Sequence, residues 1–407
     1  MLSGLDDVIA AETILSAVDG EAGTLVIRGH PLAALAGRVP YENVVAILWN
    51  GFFDELPEGD RLSTALGQAR AEVFERMQAW LPSLRPVDLY DGARAGIALL
   101  PDGDTLKDAL RLAAAPAVLA TALVRLASGK PPIPPDPDRR HAVDILKMLG
   151  RSERAETFAP ALDSYLVAVC DHGLNASTFA ARVVASTQAG LTSAILAGLS
   201  ALKGPLHGGA PGPVIAMLDA IAASGDARAW LEREVASSRR LMGFGHRIYR
   251  VRDPRADVLK RALTELADEP DVARRLAFAG EVEEIALAVL RAAKPDRRLL
   301  TNVEYYTALL LEAVGFTPEA FTTVFAMGRM AGWIGHAREQ RVTGRLLRPQ
   351  SRYIGPPPAL ASNSGSTSPA PTPIPRRCGS KEPRKRRVSM LSGVRSCSDR
   401  CLRASKA

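Results

Sequence analysis

The sequence predicts an all-α protein, and three observations carry that reading. Apolar residues make up 47% and charged residues 23% of the 407 positions, so the chain can bury a core and is neither disordered nor collagenous as a whole. Aromatics are only 5% while Ala and Leu recur throughout, a balance that suits helices better than a sandwich of Val-, Tyr- and Thr-rich strands. Apolar positions return at three- and four-residue spacing along most of the chain, and strands do not alternate with helices as a doubly wound sheet requires. At this length two or three units, or one large unit with a lobe, are expected.

The elements follow in chain order. Residues 20–29 (GEAGTLVIRG) hold the one strand or hairpin, with Leu25-Val26-Ile27 between glycines. Helical spacing then predicts helices over 44–49, 62–80, 105–127, 142–149, 155–169 and 178–202. Further helices are expected over 213–223, 227–238, 255–267, 272–293, 303–314 and 318–339. The longest apolar stretch, 183–202, contains Ser186, Thr187, Gln188, Thr192, Ser193 and Ser200, and reads as a buried helix rather than a membrane span. The chain opens MLSGLDDVIAAE, with acids where an export signal needs bases, so a cytoplasmic protein without membrane partners is expected.

From Pro356 the composition changes. Residues 356–375 contain seven prolines, and the RRCGSKEPRKRRVS block that follows is mostly charge, so 356–407 is expected to be a disordered basic tail. The tail carries 11 Lys and Arg against two acids, a net +9, whereas residues 1–355 hold 40 bases and 42 acids, a net −2. A nearly neutral body has no field to steer a polyanion, so nucleic-acid contact is expected to be at most weak and nonspecific, through the tail. The basic block itself reads either as a solvated extension or as a patch for nucleic acid or a membrane surface. Cys170 is the lone thiol of the body, which fits a reducing compartment. Cys397 and Cys401 have no neighbouring His or third Cys with which to bind zinc.

Four segments could hold chemistry. In KGPLHGGAPGP, His207 meets two glycines just before a helix start, either a plain interhelical turn or a place where backbone approaches an anionic ligand. In LMGFGHRIYRVRDPRAD, Gly243 and Gly245 precede His246, and Arg247, Arg250, Arg252 and Arg255 follow it. That is a solvated basic loop, or a turn built for a ligand with several carboxylates or phosphates. Arg329 is the only formal charge between Phe321 and His336. A guanidinium in so apolar a helix needs a structural carboxylate or an anionic ligand. Glu304 follows Asn302, a plausible N-cap, and is either an acid favoured at a helix start or a base facing a cleft.

Together and in this order these segments resemble the citrate synthase family over essentially residues 4–355. The matching stretches are GLDDVIAAETILSAVDG with TLVIRG, DHGLNASTFAARV, GPLHGGAPGPV, MGFGHRIYRVRDPRA, TNVEYYTALLLEAVG, FAMGRMAGWIGHAREQ and RLLRPQSRYIG. The resemblance implies a citrate-synthase-like, all-α homodimer: a large helical domain (1–207 and 311–355), a smaller mobile one (208–310), and an active site in the cleft between them. Acetyl-CoA and oxaloacetate are the implied substrates, citrate and CoA the products. No metal or redox cofactor is expected, the CoA thioester being a substrate.

By motif, His207 is similar to the histidine that hydrogen-bonds the thioester carbonyl, and His246 to the one that polarises the oxaloacetate ketone. His172, Arg255 and Arg329 resemble further oxaloacetate ligands, and Arg348 one supplied by the other subunit. Arg250 is similar to the residue that meets CoA phosphate, with the Gly243–Gly245 loop near the adenine. Glu304 stands where the family's base is usually Asp. The extra methylene moves the carboxylate by about 1 Å, and a misplacement of that size can cost on the order of 10²-fold in rate. Two alternatives follow: 2-methylcitrate synthesis from propionyl-CoA, since one methylene discriminates by only about 1–3 kcal/mol, or a weakly active or non-catalytic paralogue that binds acyl-CoA.

Overall fold

The structure, a computed structural model, describes residues 8–85, 87–205, 207, 212–246 and 248–356. It begins with a three-stranded antiparallel sheet, β1 (Ser16–Asp19), β2 (Thr24–Ile27) and β3 (His30–Pro31), in which Ser16 faces Ile27 and Asp19 faces Thr24. The expected hairpin is present, but its first strand precedes Gly20. β1 alternates half-buried and exposed positions and so lacks the apolar run that marks β2. Asp19 closes the turn by accepting the N–H groups of Glu21 and Ala22 at 2.9 Å each.

Among the described residues the rest is helical or irregular, apart from one antiparallel bridge between Phe244 and Thr301: α1 (Leu32–Leu35), α2 (Tyr41–Trp49), α3 (Asp60–Met77), α4 (Leu81–Leu84), α5 (Leu89–Ala98), α6 (Leu106–Ala127), α7 (His141–Leu149) and α8 (Ala155–Val169) come first. Then follow α9 (Ala176–Ala185), α10 (Leu191–Leu202), α11 (Gly212–Ser224), α12 (Ala227–Ala236), α13 (Pro254–Thr264), α14 (Pro270–Ala293), α15 (Val303–Val314) and α16 (Phe321–Thr343). Three helices were not anticipated, the single turns α1 and α4 and the longer α5. α5 is short and glycine-containing, and it forms because Asp88 caps Tyr90 and Asp91 while Gly96 lies against Leu119 of α6, where a Cβ would come within 2.7 Å.

α6 starts with a capping box, Thr105 accepting from Asp108 N–H and Asp108 from Thr105 N–H, and is buried along nearly its whole length. It alone among the described residues is long and apolar enough to cross a membrane, and 83% of its apolar window is buried inside the protein. The single helix expected over 178–202 is corrected to two, α9 and α10. Gln188 takes φ +68°, and Asp102 accepts the Ser193 N–H at 3.2 Å just inside the new helix start.

α16 packs almost backbone to backbone on α8. A Cβ at Gly328 would stand 2.5 Å from Val169, and one at Gly332 2.3 Å from the Cys170 carbonyl, which instead accepts the Gly332 N–H at 3.1 Å. This contact brings Arg329 against the end of α8, where the candidate site begins. Around it runs one continuous core that includes Trp49, Trp333, Tyr41 and Phe321, each worth about 1.5–3 kcal/mol or more in buried apolar surface. The described residues up to Pro349 form one compact unit, and 350–356 belong to a second. In the second, 350–356 is irregular, with Tyr353 Oη donating to the Pro356 carbonyl at 2.9 Å. The tail from 357 onward, with Cys378, Cys397 and Cys401, lies outside the described residues. Cys170 is a buried free thiol.

Candidate active site

The turn between α8 and α9 carries His172. Its neighbour Asp171 is fully buried, takes a hydrogen bond from Ser16 Oγ, and lies 3.2 Å from His336 Nε2. Arg182 donates to His336 Nδ1 at 2.9 Å, which leaves Nε2 as the nitrogen that carries a proton toward Asp171. Burial pushes the Asp171 carboxyl up, but His336, Arg329 and the Ser16 bond outweigh it and hold the group below its usual value. Gly173 N–H in turn donates to Ser16 Oγ at 2.9 Å, which ties β1 to the turn. The His172 backbone is thereby fixed. Its Nε2 meets Tyr249 Oη at 3.1 Å, and its ring stands edge-on to His246 at 5.9 Å. Burial first, then the charges of Arg255, Arg329 and His246, push His172 well below the ordinary imidazole range, so the ring is neutral.

His246 sits on a glycine loop stitched to the start of α15. Gly243 and Gly245 take φ +83° and +81°, and at Gly243 a Cβ would be 2.7 Å from the Tyr305 ring. Gly245 N–H donates to Leu300 O at 2.7 Å, Asn302 N–H to Gly243 O at 2.9 Å, and Asn302 Nδ2 to Gly245 O at 2.8 Å. Asn302 also caps α15, accepting the Glu304 N–H at 3.0 Å, as the sequence suggested. One asparagine therefore locks the His246 loop to the helix that presents Glu304.

His246 Nδ1 accepts two backbone N–H groups, from Ile248 and Tyr249, both at 3.1 Å. The neutral ring must then carry its proton on Nε2, which lies 3.4 Å from Arg255 Nη2. Burial, followed by the Arg255 charge, pushes His246 down to about 4. Arg255 is gripped by Asp253, Nε to Oδ1 at 3.0 Å and Nη2 to Oδ2 at 2.8 Å, and Asp253 Oδ2 also accepts the Val303 N–H at 3.1 Å. Glu304 is half-buried. Burial raises its carboxyl, and the Asp253 charge adds to that, while Arg240 and Arg255 pull the other way without prevailing.

Arg329 is buried, donates through Nε to the Val169 carbonyl at 2.6 Å, and rests on the Phe325 ring at 4.9 Å. No carboxylate among the described residues forms an ion pair with it, although Asp171 acts on it from a distance. Of the two readings open from the sequence, a structural salt bridge is thus not what this arginine makes. Burial pushes it down to about 10.

His207 follows α10 and reaches back to α9. Its Nε2 accepts the Ser177 N–H at 3.3 Å and meets Ser177 Oγ at 2.8 Å, and that hydroxyl also takes the Trp333 Nε1–H at 3.2 Å. With Nε2 accepting, the neutral ring has its proton on Nδ1. Ser177 lies five residues beyond His172, so both histidines are tied to one turn.

The described contacts thus join His172 to His246 and His246 to Arg255; Glu304 is tied to them through Asn302 and the field of Arg255, Arg329 through the α8 end, and His207 through Ser177. Two expected residues stand apart. Arg250 is exposed and only 3.9 Å from the exposed Glu21, and Arg348 is exposed in the irregular segment after α16. Sequence reasoning missed Asp253, Tyr249, Asp171, Ser16 and Ser177. Only Asp253 had a readable signal, an Asp before Pro254 at a helix start. The others matter through distant neighbours.

Comparison with known proteins agrees in extent and kind. The profile of the family described as citrate synthase, C-terminal domain, matches residues 4–350. The citrate synthase of Haloferax volcanii is 34% identical over 370 residues, covering 86% of this chain and 95% of its own. The 2-methylcitrate synthase of Mycobacterium tuberculosis is 33% identical over 366 residues, covering 86% and 90%. Among solved structures, the Thermoplasma acidophilum citrate synthase in ternary complex with carboxymethyl coenzyme A and oxaloacetate superposes with a TM-score of 0.76 at 26% identity, over 87% of this chain and 96% of that one. A helical fold, a cluster of neutral imidazoles and buried guanidiniums, and matches over nearly the whole body lead to one conclusion: this chain belongs to the citrate synthase family of enzymes.

Proposed function

We propose that the protein condenses acetyl-CoA with oxaloacetate and hydrolyses the resulting thioester to citrate and CoA. The observation that carries this reading is the pair of donors His246 Nε2–H and Arg255 Nη2, 3.4 Å apart, neither of which can accept from the other. An oxygen of a 2-oxo diacid seated there receives both bonds, and the neutral His246 polarises the ketone it approaches. Arg329, a buried cation without an ion pair, supplies a second carboxylate contact, and His172 a further donor or acceptor.

On the other substrate, the Cα–H beside a thioester is a weak acid. Glu304, raised toward neutrality by burial, is a stronger base than an exposed glutamate and takes that proton, while His207 Nδ1–H donates to the developing enolate oxygen. The enol carbon then attacks the ketone carbon, the His246 Nε2–H hydrogen-bonds the oxygen as charge builds on it, and the proton that Glu304 removed is returned to the product, leaving both side chains as they began. Water cleaves the citryl thioester, releasing CoA. Proton transfer and carbonyl addition suffice for these steps, which call on no metal or redox cofactor. Closure of a small lobe, residues 208–310, over the large one would exclude water until condensation is complete. The exposed Arg348 fits a role completed by a second subunit.

The test is thiol release with acetyl-CoA and with propionyl-CoA, each with and without oxaloacetate. Release from acetyl-CoA that depends on oxaloacetate, at the higher kcat/KM, supports the reading. A higher value with propionyl-CoA makes the protein a 2-methylcitrate synthase, and silence toward both thioesters removes the condensing activity.

A further inference from the structure

Tyr165 has no part in that chemistry, yet it is the exception among the buried tyrosines. Tyr41 Oη bonds the carbonyls of Met327 and Gly328, Tyr90 that of Leu199, and Tyr305 that of Ala279. Tyr306 bonds Glu283, and Tyr249 bonds His172. Tyr165 is fully buried, and its Oη makes no hydrogen bond to any described residue. Burying a hydroxyl in that state is unfavourable, so its persistence calls for a partner that arrives from outside.

Its position says which partner. Tyr165 lies in α8 one helical turn before Val169, on the face where Arg329 Nε meets the Val169 carbonyl. Both Arg329 and Arg255 act electrostatically on its hydroxyl, and burial keeps that hydroxyl protonated. A guanidinium has only donors, so neither arginine can accept the phenolic proton. Asp253 occupies one edge of Arg255, but no carboxylate among the described residues accepts from the Tyr165 hydroxyl or forms an ion pair with Arg329.

We propose that Tyr165 Oη–H is a third donor of the carboxylate subsite, bonding a carboxylate of the diacid that Arg255 and Arg329 hold. This rests on the function proposed above and adds a substrate-binding residue to it. A neutral donor in the field of two guanidiniums adds a directed bond without adding charge, and so favours a carboxylate with a lone pair aimed at α8.

Tyr165→Phe removes the hydroxyl and keeps the ring that fills the core. In the full chain, oxaloacetate Kd from fluorescence titration and its KM are expected to rise about tenfold, a loss characteristic of a bond to a charged group. KM for the acyl-CoA should stay within about twofold, and the melting temperature should not fall, because an unmet hydroxyl leaves the core. Unchanged oxaloacetate affinity in the variant, with wild type binding it, overturns the proposal and leaves the function standing. Equal weakening of both substrates together with a lower melting temperature overturns it in favour of a packing role. If wild type does not bind oxaloacetate, both fall.

Discussion

Nη2 of Arg255 stands 3.4 Å from Nε2 of His246, and because each carries a proton neither can satisfy the other. Asp253 sets this pair by fixing Arg255 through two bonds and α15 through a third. Asp253→Asn is expected to free the guanidinium, raise oxaloacetate KM at least tenfold, and destabilise the fold by about 3–5 kcal/mol, the cost of breaking a buried ion pair. Steady-state kinetics and thermal melting check both effects. A variant with native oxaloacetate KM would show that Asp253 does not position Arg255.

Glu304→Gln keeps the Asn302 cap and the side-chain length but cannot accept a proton. Turnover is expected to fall by about 10³-fold or more while oxaloacetate still binds, since the base contributes on the order of 10²–10⁴-fold. Thiol release and fluorescence titration separate the two. Undiminished turnover would refute the assigned base.

The acid limb of the kcat profile should report Glu304. Burial raises this carboxyl, so activity is expected to fall, as pH drops, at a higher pH than an ordinary glutamate would give. The Arg240 charge favours the carboxylate, and its removal in Arg240→Gln should move the limb further up. A limb that stays in place, or moves down, contradicts the coupling between the two.

Arg329 lies buried with no ion pair among the described residues, so its charge opposes folding, and under the proposed function it serves binding. Arg329→Met is expected to melt no lower than wild type yet bind oxaloacetate about 100-fold more weakly, or about 2.8 kcal/mol at 1.4 kcal/mol per decade. Lower melting with unchanged binding would mark the residue as structural.

Gly243 and Gly29 share nearly the same φ, +83° and +84°, but Gly29 has open space around it while Gly243 faces Tyr305. Gly29→Ala should cost about 1 kcal/mol from backbone strain alone. Gly243→Ala adds a steric clash of about 1–3 kcal/mol and should also lower kcat/KM by shifting the loop that carries His246. Equal melting shifts in the two variants would remove the clash from the account.

The helices, the N-cap at Asn302 and the unusual charge at Arg329 were legible in the sequence, because helical periodicity, caps and buried ions are local properties of composition and spacing. The break at Gln188 was not, since it depends on Asp102, far off in the chain, capturing the next helix start. The site divides in the same way. Residue types named its histidines and arginines, but the sequence could not say which imidazole nitrogen carries the proton, that Asp253 grips Arg255, or that the buried Tyr165 hydroxyl feels the charges of Arg329 and Arg255. The first two are decided by the turns that the backbone takes around His246 and Asp253, which composition and spacing do not specify; the last depends on fields between distant segments, such as α8 and Arg329, 160 residues beyond Val169, that only the packing of α8, α13 and α16 brings together.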